Sequence, residues 1–321
     1  MYSRRDFGKI ALAGLPVSAL LGAAIDSVVN GVHLGASTYS FRDFPRTPGQ
    51  TIVDPVIKAL QFCGVGEIEL FSPTIEPAGA ALPPEAPAPY GTPRPPRAAR
   101  SEEQAALEKA NREALRSWRI ATPAAHFQAI REKFESGGVR VFAYTVNYNT
   151  SYTDEEIDAT FQHAKALGAD NIASSMTLSM AERVAPFADR NKFYVALHGH
   201  SDVANANEFS SPDTFAKGMA YSKYFKVNLD IGHFTAANFD AVAYINEIHE
   251  HITHLHMKDR KKNDGSNEQF GDGDTPIKPV LALLKEKQYP IRAFVEYEYA
   301  GLRASPEEVK RCMDYMRAAL G

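Results

Sequence analysis

Beyond residue 30 the chain switches between two periodicities. Short runs rich in Val, Ile, Phe and Tyr, with apolar and polar side chains on alternate positions, read as β-strands. Longer stretches between them repeat apolar positions every three or four residues, as helices with one buried face do. The pattern predicts strands over Val32–Ser40, Gly66–Phe71, Arg140–Asn147, Asn171–Ser175, Phe193–His200, Val227–His233, Ile252–Asp259 and Ala293–Tyr299. It predicts helices over Asp54–Cys63, Glu102–Arg119, Ala124–Glu135, Asp154–Leu167, Ala181–Asp189, Pro212–Tyr221, Phe239–His249, Pro276–Lys287 and Pro306–Leu320. Gly137, Gly138 and Gly168 stand where helices should stop. Pro276 and Pro306 suit a first helical turn, with Thr275 and Ser305 as expected caps.

Strict β/α alternation implies a parallel sheet, and eight such units imply a closed (β/α)₈ TIM barrel. An open doubly wound sheet would want a glycine-rich phosphate loop after the first strand, and Ala36-Ser37-Thr38-Tyr39 is not one.

Two segments break the rhythm. Pro73 to Pro96 holds nine of the chain's twenty prolines, so it is neither helix nor central strand. It follows the second strand, which puts an insertion at about 73–100 on the C-terminal rim, either as plain surface or as a flap or oligomer contact. The other is the start. Arg4 and Arg5 precede an uncharged apolar run from Ile10 to Ile25, closed by small residues, as in an export signal of the twin-arginine type. The run is shorter than the roughly 20 residues that span a bilayer, so no stable membrane anchor is expected. The expected division is therefore a signal peptide over 1–30 and a barrel over 31–321, with a periplasmic destination.

Composition narrows the partners. A net charge of -4 gives no footprint for nucleic acid or an anionic membrane. Cys63 and Cys312 are too few for a disulfide framework or a thiolate zinc site and read as isolated thiols.

The candidate chemistry lies in the second half, where seven of ten histidines fall between residues 198 and 256. Strand alternation sets His198 and His200 opposite Val195 and Leu197, and Asn228 and Asp230 opposite Val227 and Leu229. It likewise sets His254, His256 and Lys258 opposite Leu255 and Met257, and Glu296 and Glu298 opposite Val295 and Tyr297. Ionisable groups gathered on the inner face of a barrel are costly unless paired or bound to a metal. His198, Asp230, His256 and Glu296 offer two nitrogens and two oxygens to one divalent cation. Mn fits first, with Zn, Co or Fe as alternatives.

With those residues in place, the chain resembles the sugar phosphate isomerase/epimerase family of xylose isomerase-like TIM barrels. The resemblance rests on Thr38-Tyr39-Ser40-Phe41, Glu67-Ile68-Glu69-Leu70, Leu229-Asp230-Ile231-Gly232-His233, His254-Leu255-His256-Met257-Lys258-Asp259 and Val295-Glu296. It implies a metal held by Asp230, His256 and Glu296, with His198 standing where the epimerases carry a glutamate. It implies proton removal next to a carbonyl through an enediolate, with Glu296 as ligand and base and His200 as a second acid/base candidate. His233, Lys258, Glu69 and Tyr39 are the expected substrate contacts, Glu69 alternatively pairing with a lumen cation such as Lys258. The early strands lack the extra histidines of endonuclease IV, which argues against DNA repair.

Export favours a free sugar, a keto-sugar or a glycoside over a sugar phosphate. Isomerisation or epimerisation, β-elimination from a 3-keto-glycoside, and a family dehydration share the same first step. A non-catalytic carbohydrate-binding barrel is the alternative of another class, and a homo-oligomer remains open. Gly271-Asp272-Gly273-Asp274-Thr275 reads either as a turn or as a loop over the sugar.

Overall fold

A computed structural model describes residues 23–80 and 101–321. Eight parallel strands close on themselves: β1 (Val32–Ser37), β2 (Glu67–Phe71), β3 (Arg140–Thr145), β4 (Asn171–Ser175), β5 (Tyr194–His198), β6 (Phe225–Asp230), β7 (Ile252–Met257) and β8 (Arg292–Val295). Each pairs with the next, and β8 returns to β1 with Ala293 beside Leu34. All eight expected strands form, and the closed barrel is the expected fold.

The outer ring comprises α1 (Val53–Cys63), α2 (Glu102–Ala121), α3 (Ala124–Ser136), α4 (Asp154–Ala166), α5 (Leu178–Asn191), α6 (Pro212–Met219), α7 (Ile231–Ala236), α8 (Ala241–Ile248), α9 (Ile277–Lys287) and α10 (Ser305–Leu320). Their apolar faces pack on the outward strand residues, such as Leu34, Ile68, Leu197, Leu229 and Leu255, all fully buried. That packing fixes strand register, and register decides which side chains enter the lumen. Among the described residues no helix is long and apolar enough to cross a membrane.

The strands end earlier than their polarity pattern. Val227–His233 was expected as one strand, but β6 stops at Asp230, whose Oδ1 accepts the His233 N–H at 2.7 Å and starts α7. A carboxylate at that position caps a helix, and ladder bonding ends there. His200, Lys258 and Glu298 likewise lie just past β5, β7 and β8, on the rim. Two expected caps also differ. Ser305 lies inside α10 and donates to Asp43 Oδ1 at 2.7 Å, and the Thr275 hydroxyl accepts from Arg260 N at 3.0 Å.

The expected leader overlaps the fold at its end. Ile25 N donates to Gly138 O at 2.9 Å, Ser27 Oγ donates to Leu34 O at 2.7 Å, and Val28–Val29 pairs antiparallel with β1. These residues, inside the span expected as leader, bond to the barrel floor. The arginine pair and most of the apolar run lie outside the described residues, as does the Pro-rich stretch over 81–100. The part of the insertion that is described is a short turn at Ser72–Thr74 and an isolated bridge from Ala78 to Pro48. After it, buried Arg119 on α2 pairs with Glu76 at 2.7 Å and with Glu156 at 3.3 Å.

Inside, the lumen is layered. Phe142, Ala143 and Phe294 make an apolar plug, with the Arg292 guanidinium 4.3 Å from the centre of the Phe142 ring. Polar side chains sit above the plug and face the C-terminal mouth.

Candidate active site at the barrel mouth

Above the plug lies a buried carboxylate. Alternation along β2 sets Glu69 opposite the outward Ile68 and Leu70, on the lumen face. Its Oε2 meets His254 Nε2 and His256 Nε2 at 2.6 Å each, and its Oε1 accepts from Ser37 Oγ at 3.1 Å. Burial raises its pKa, but His256 and His254 outweigh this and hold it well below the usual carboxylate range. Glu69 was expected to touch substrate or to pair with Lys258. Its oxygens are instead occupied by the two imidazoles and Ser37. Its structural work is to hold His256.

That hold decides where His256 points. A carboxylate only accepts, so His256 Nε2 carries a hydrogen and Nδ1 faces the other way; burial opposes charge on the ring, but Glu69 and Glu296 outweigh it and raise its pKa well above the usual imidazole range. Nδ1 lies 3.3 Å from Glu296 Oε2 and 4.0 Å from Asp230 Oδ2. His198 is set in the same way. Asn228 donates its amide hydrogen to Glu69 Oε2 at 3.5 Å, which turns its Oδ1 toward His198 Nδ1, 2.6 Å away. His198 Nδ1 is therefore the donor, and Nε2 is free.

One ligand atom from each of His198, Asp230, His256 and Glu296 lies within 4.8 Å of the others, and all four residues are buried. Asp230 Oδ2 and His256 Nδ1 make no well-aligned hydrogen bond despite burial, and their nearest charged neighbours are Lys258 Nζ at 3.0 Å and Glu296 Oε2 at 3.3 Å. A cluster of buried donor atoms held only by ion-pair contacts is one that a cation could join. The donor set, mixed nitrogen and oxygen, fits a first-row divalent ion. Charge agrees as well. Asp230, Glu296 and Glu298 surround one Lys258 ammonium and leave two negative charges uncompensated. The four expected ligands thus converge and fit a divalent metal.

Lys258 Nζ lies 2.6 Å from Glu296 Oε2, 2.6 Å from Glu298 Oε2 and 3.0 Å from Asp230 Oδ2. Burial opposes its charge, and those carboxylates outweigh burial and raise its pKa. Burial would raise Asp230 too, yet Lys258 and His233 hold it at about 2. His198 is pushed down to about 4 by burial, with neighbouring His256 and His200 adding to the effect, so it stays neutral as a ligand must. His233 is lowered by burial and by Lys258.

These groups open into one cavity of about 220 Å³, lined by Tyr39, Phe71, Asn147, Ser175, His200, Glu298 and the polar residues above. Tyr39, in the turn after β1, meets Phe71 edge-on at 5.0 Å, giving the cavity an aromatic wall. All nine expected site residues except Asp230 line this cavity directly. Sequence reasoning missed Glu208, Ser175 and Arg260, and assigned no role to Asn228 or Glu298. Glu298 carried a signal, two residues past Glu296 on the same face; Glu208 carried none, because it reaches the site from a loop.

Two glycines let the backbone come close. Gly232, where α7 begins, sits against Lys258: a Cβ there would lie 2.9 Å from the lysine's Cβ. Gly199 forms the neck of the loop that carries His200; a Cβ there would stand 2.3 Å from Phe209 O and 2.6 Å from Phe215 Cζ. Gly199→Ala is expected to destabilise the protein by about 1–3 kcal/mol, as overpacking does, and to displace His200. Urea denaturation measures it, and an unchanged midpoint would count against this packing.

The Gly271–Thr275 loop is tied down. Asp259 Oδ2 accepts from Gly271 N and Gly273 N at 2.8 and 3.1 Å, and Oδ1 from Thr275 N at 3.2 Å. It reads as the anchored turn of the two expectations.

The profile of the xylose isomerase-like TIM barrel family matches residues 129–319, more than half of the chain, and the chain belongs to that family. Solved structures agree on the fold. A sugar phosphate isomerase/epimerase from Parabacteroides distasonis is 15% identical, with a TM-score of 0.57 over 95% of this chain and 98% of its own. The 3-keto-D-glucoside 4-epimerase of E. coli is 9% identical, with a TM-score of 0.56 over 89% and 99%. A probable 3-DHS dehydratase of Bacillus anthracis is 12% identical, with a TM-score of 0.56 over 88% and 97%. No curated protein matches the chain.

Proposed function

We propose that this protein is a divalent-metal-dependent isomerase or epimerase of an unphosphorylated sugar, keto-sugar or glycoside. The observation that carries the reading is the convergence of His198 Nε2, Asp230 Oδ2, His256 Nδ1 and Glu296 at the mouth of a small polar cavity. A bound Mn²⁺, or Fe²⁺, Co²⁺ or Zn²⁺ in its place, supplies charge that stabilises adjacent substrate oxygens as one becomes anionic. The chain's own residues do the rest. Tyr39 and Phe71 offer an apolar wall to a sugar ring, His233 and Lys258 face its oxygens, and His200 faces a proton to be moved. Glu296 Oε2 is committed to Lys258 and His256, which leaves His200 the better placed base.

The lining argues against a phosphate. Among the described residues lining the cavity, Lys258 is the one lysine or arginine, and it is enclosed by Glu296 and Glu298. A phosphate dianion would find no lysine or arginine there that is free of a carboxylate partner. At about 220 Å³ the cavity is smaller than the roughly 300–1,000 Å³ of sites for drug-sized ligands, as suits a single ring. β-Elimination or dehydration begins with the same proton removal and is the second reading, because a dehydratase shares the fold. Periplasmic export, argued from Arg4 and Arg5, would keep the enzyme from cytoplasmic sugar phosphates.

The test is incubation of the metal-loaded protein with free keto-sugars and 3-keto-glycosides in D₂O. Solvent deuterium should enter at carbon next to the carbonyl, followed by isomer, epimer or eliminated product. Binding without any exchange would replace this reading with a carbohydrate-binding barrel.

A further inference from the structure

Two imidazoles at the mouth have their protons dictated by what stands behind them. His200 Nδ1 lies 2.6 Å from Glu208 Oε1. A carboxylate only accepts, so Nδ1 bears the hydrogen and Nε2 presents its lone pair, 3.2 Å from Ser175 Oγ on the cavity wall. The loop that brings Glu208 back is pinched at its neck, where His200 N donates to Phe209 O at 2.9 Å. His233 is set the opposite way. Arg260 Nη1 meets its Nδ1 at 2.7 Å, and a guanidinium only donates, so Nδ1 accepts and Nε2 carries the hydrogen.

Arg260 is itself immobilised. Its Nε and Nη2 donate to Gly265 O at 3.1 and 2.6 Å, and Nη1 also donates to Ser201 Oγ at 2.8 Å. The two rings stand 5.2 Å apart at 89°. His233 Nε2 faces Lys258 Nζ at 3.2 Å. With Nδ1 committed to Arg260, this contact brings two donors together, and the nearby acceptor Asp230 Oδ2 reaches Nζ at 3.0 Å but stands 3.9 Å from His233 Nε2, beyond hydrogen-bond distance. An oxygen of the substrate completes it.

We propose that Glu208 and Arg260 are positioning residues that impose opposite tautomers on His200 and His233, so that His200 is the proton acceptor of the reaction and His233, with Lys258, holds the substrate's developing enolate oxygen. The inference rests on the proposed proton chemistry and goes beyond it by naming what orients each group. In the step, the C–H bond next to the carbonyl breaks and its proton joins His200 Nε2. The C–H electron pair becomes the C=C bond, and the carbonyl π pair moves onto oxygen. His233 hydrogen-bonds that oxygen and keeps its own proton. The new imidazolium is balanced by the Glu208 carboxylate, and return of the proton to carbon restores the enzyme.

The tautomers are read directly by ¹⁵N–¹H NMR of the full-length protein, without substrate. The expected result is Nδ1–H for His200 and Nε2–H for His233. Arg260→Gln should give His233 a mixture, because an amide both donates and accepts, and Arg260→Lys should restore the single form. Glu208→Gln should lower kcat for deuterium exchange by about 10–100-fold, the usual loss when a partner that orients a functional histidine is removed, with KM within about twofold. The reverse tautomers in the wild type, or full exchange in Glu208→Gln, would overturn the inference. If the wild type exchanges no keto-sugar, the catalytic half falls together with the proposed function. The NMR result would then decide the tautomer lock alone, so the two failures remain distinguishable.

Discussion

Asp230→Ala combined with His256→Ala is expected to abolish stoichiometric binding of a divalent cation and, with it, substrate proton exchange. Each residue brings a buried donor atom to the same four-residue cluster, Oδ2 from the end of β6 and Nδ1 from β7. Removing only a partner that orients a metal ligand typically weakens affinity 10–100-fold, so losing two donors outright should exceed about 100-fold. Asp230 also caps α7 through the His233 N–H. Asp230→Asn retains an oxygen for that cap while losing the charge, and separates ligand loss from local unfolding. Isothermal titration with Mn²⁺ on the wild type, the double variant and Asp230→Asn measures it. Unchanged affinity in the double variant would place the cation elsewhere.

The second large effect concerns Glu69. Glu69→Leu removes the one acceptor shared by His254 Nε2 and His256 Nε2, both buried in the lumen. Breaking a buried charge-assisted arrangement by deleting one partner typically costs about 3–5 kcal/mol. In a chain of this size that lowers Tm by roughly 5–15 °C. His256 also loses its orientation, so cation affinity should fall as well, although Glu69 is outside the His198, Asp230, His256 and Glu296 set. Thermal unfolding followed by circular dichroism, beside a cation titration, reads both. A loss below about 1 kcal/mol would mean that the lumen relaxes around the missing carboxylate.

Much of this was legible in the residue pattern because a parallel barrel obeys few rules. Apolar residues on alternate positions of β5 to β8 had to face the helices, which left His198, Asp230, His256 and Glu296 facing inward. The structure brings those four together. The strand ends were less legible. Polar alternation continues through His200, Lys258 and Glu298, but ladder bonding stops before each of them and before His233, since the chain there turns into rim loops or into α7. The expected caps at Thr275 and Ser305 differed because their hydroxyls found Arg260 N and Asp43 instead, partners distant in sequence.

Glu69 was placed in the lumen by its pattern, yet its partners could not be read. They come from β1, β6 and β7, across the lumen and distant in sequence, which residue spacing does not signal. Glu208 and Arg260 were invisible for a related reason. One comes from a loop with no periodicity, and the other from the short ribbon Asp259–Arg260 paired with Asn267–Glu268. What sequence cannot carry here is which long-range neighbour fixes each imidazole, and those neighbours decide whether a histidine donates, accepts or binds a cation.

The central claim is the cation site, and metal analysis of the purified protein tests it most directly. After loading with Mn²⁺, Fe²⁺, Co²⁺ or Zn²⁺ and dialysis, the account predicts about one equivalent of retained ion in the wild type and none in the Asp230→Ala, His256→Ala variant. A wild type that retains no ion under any loading condition would contradict it.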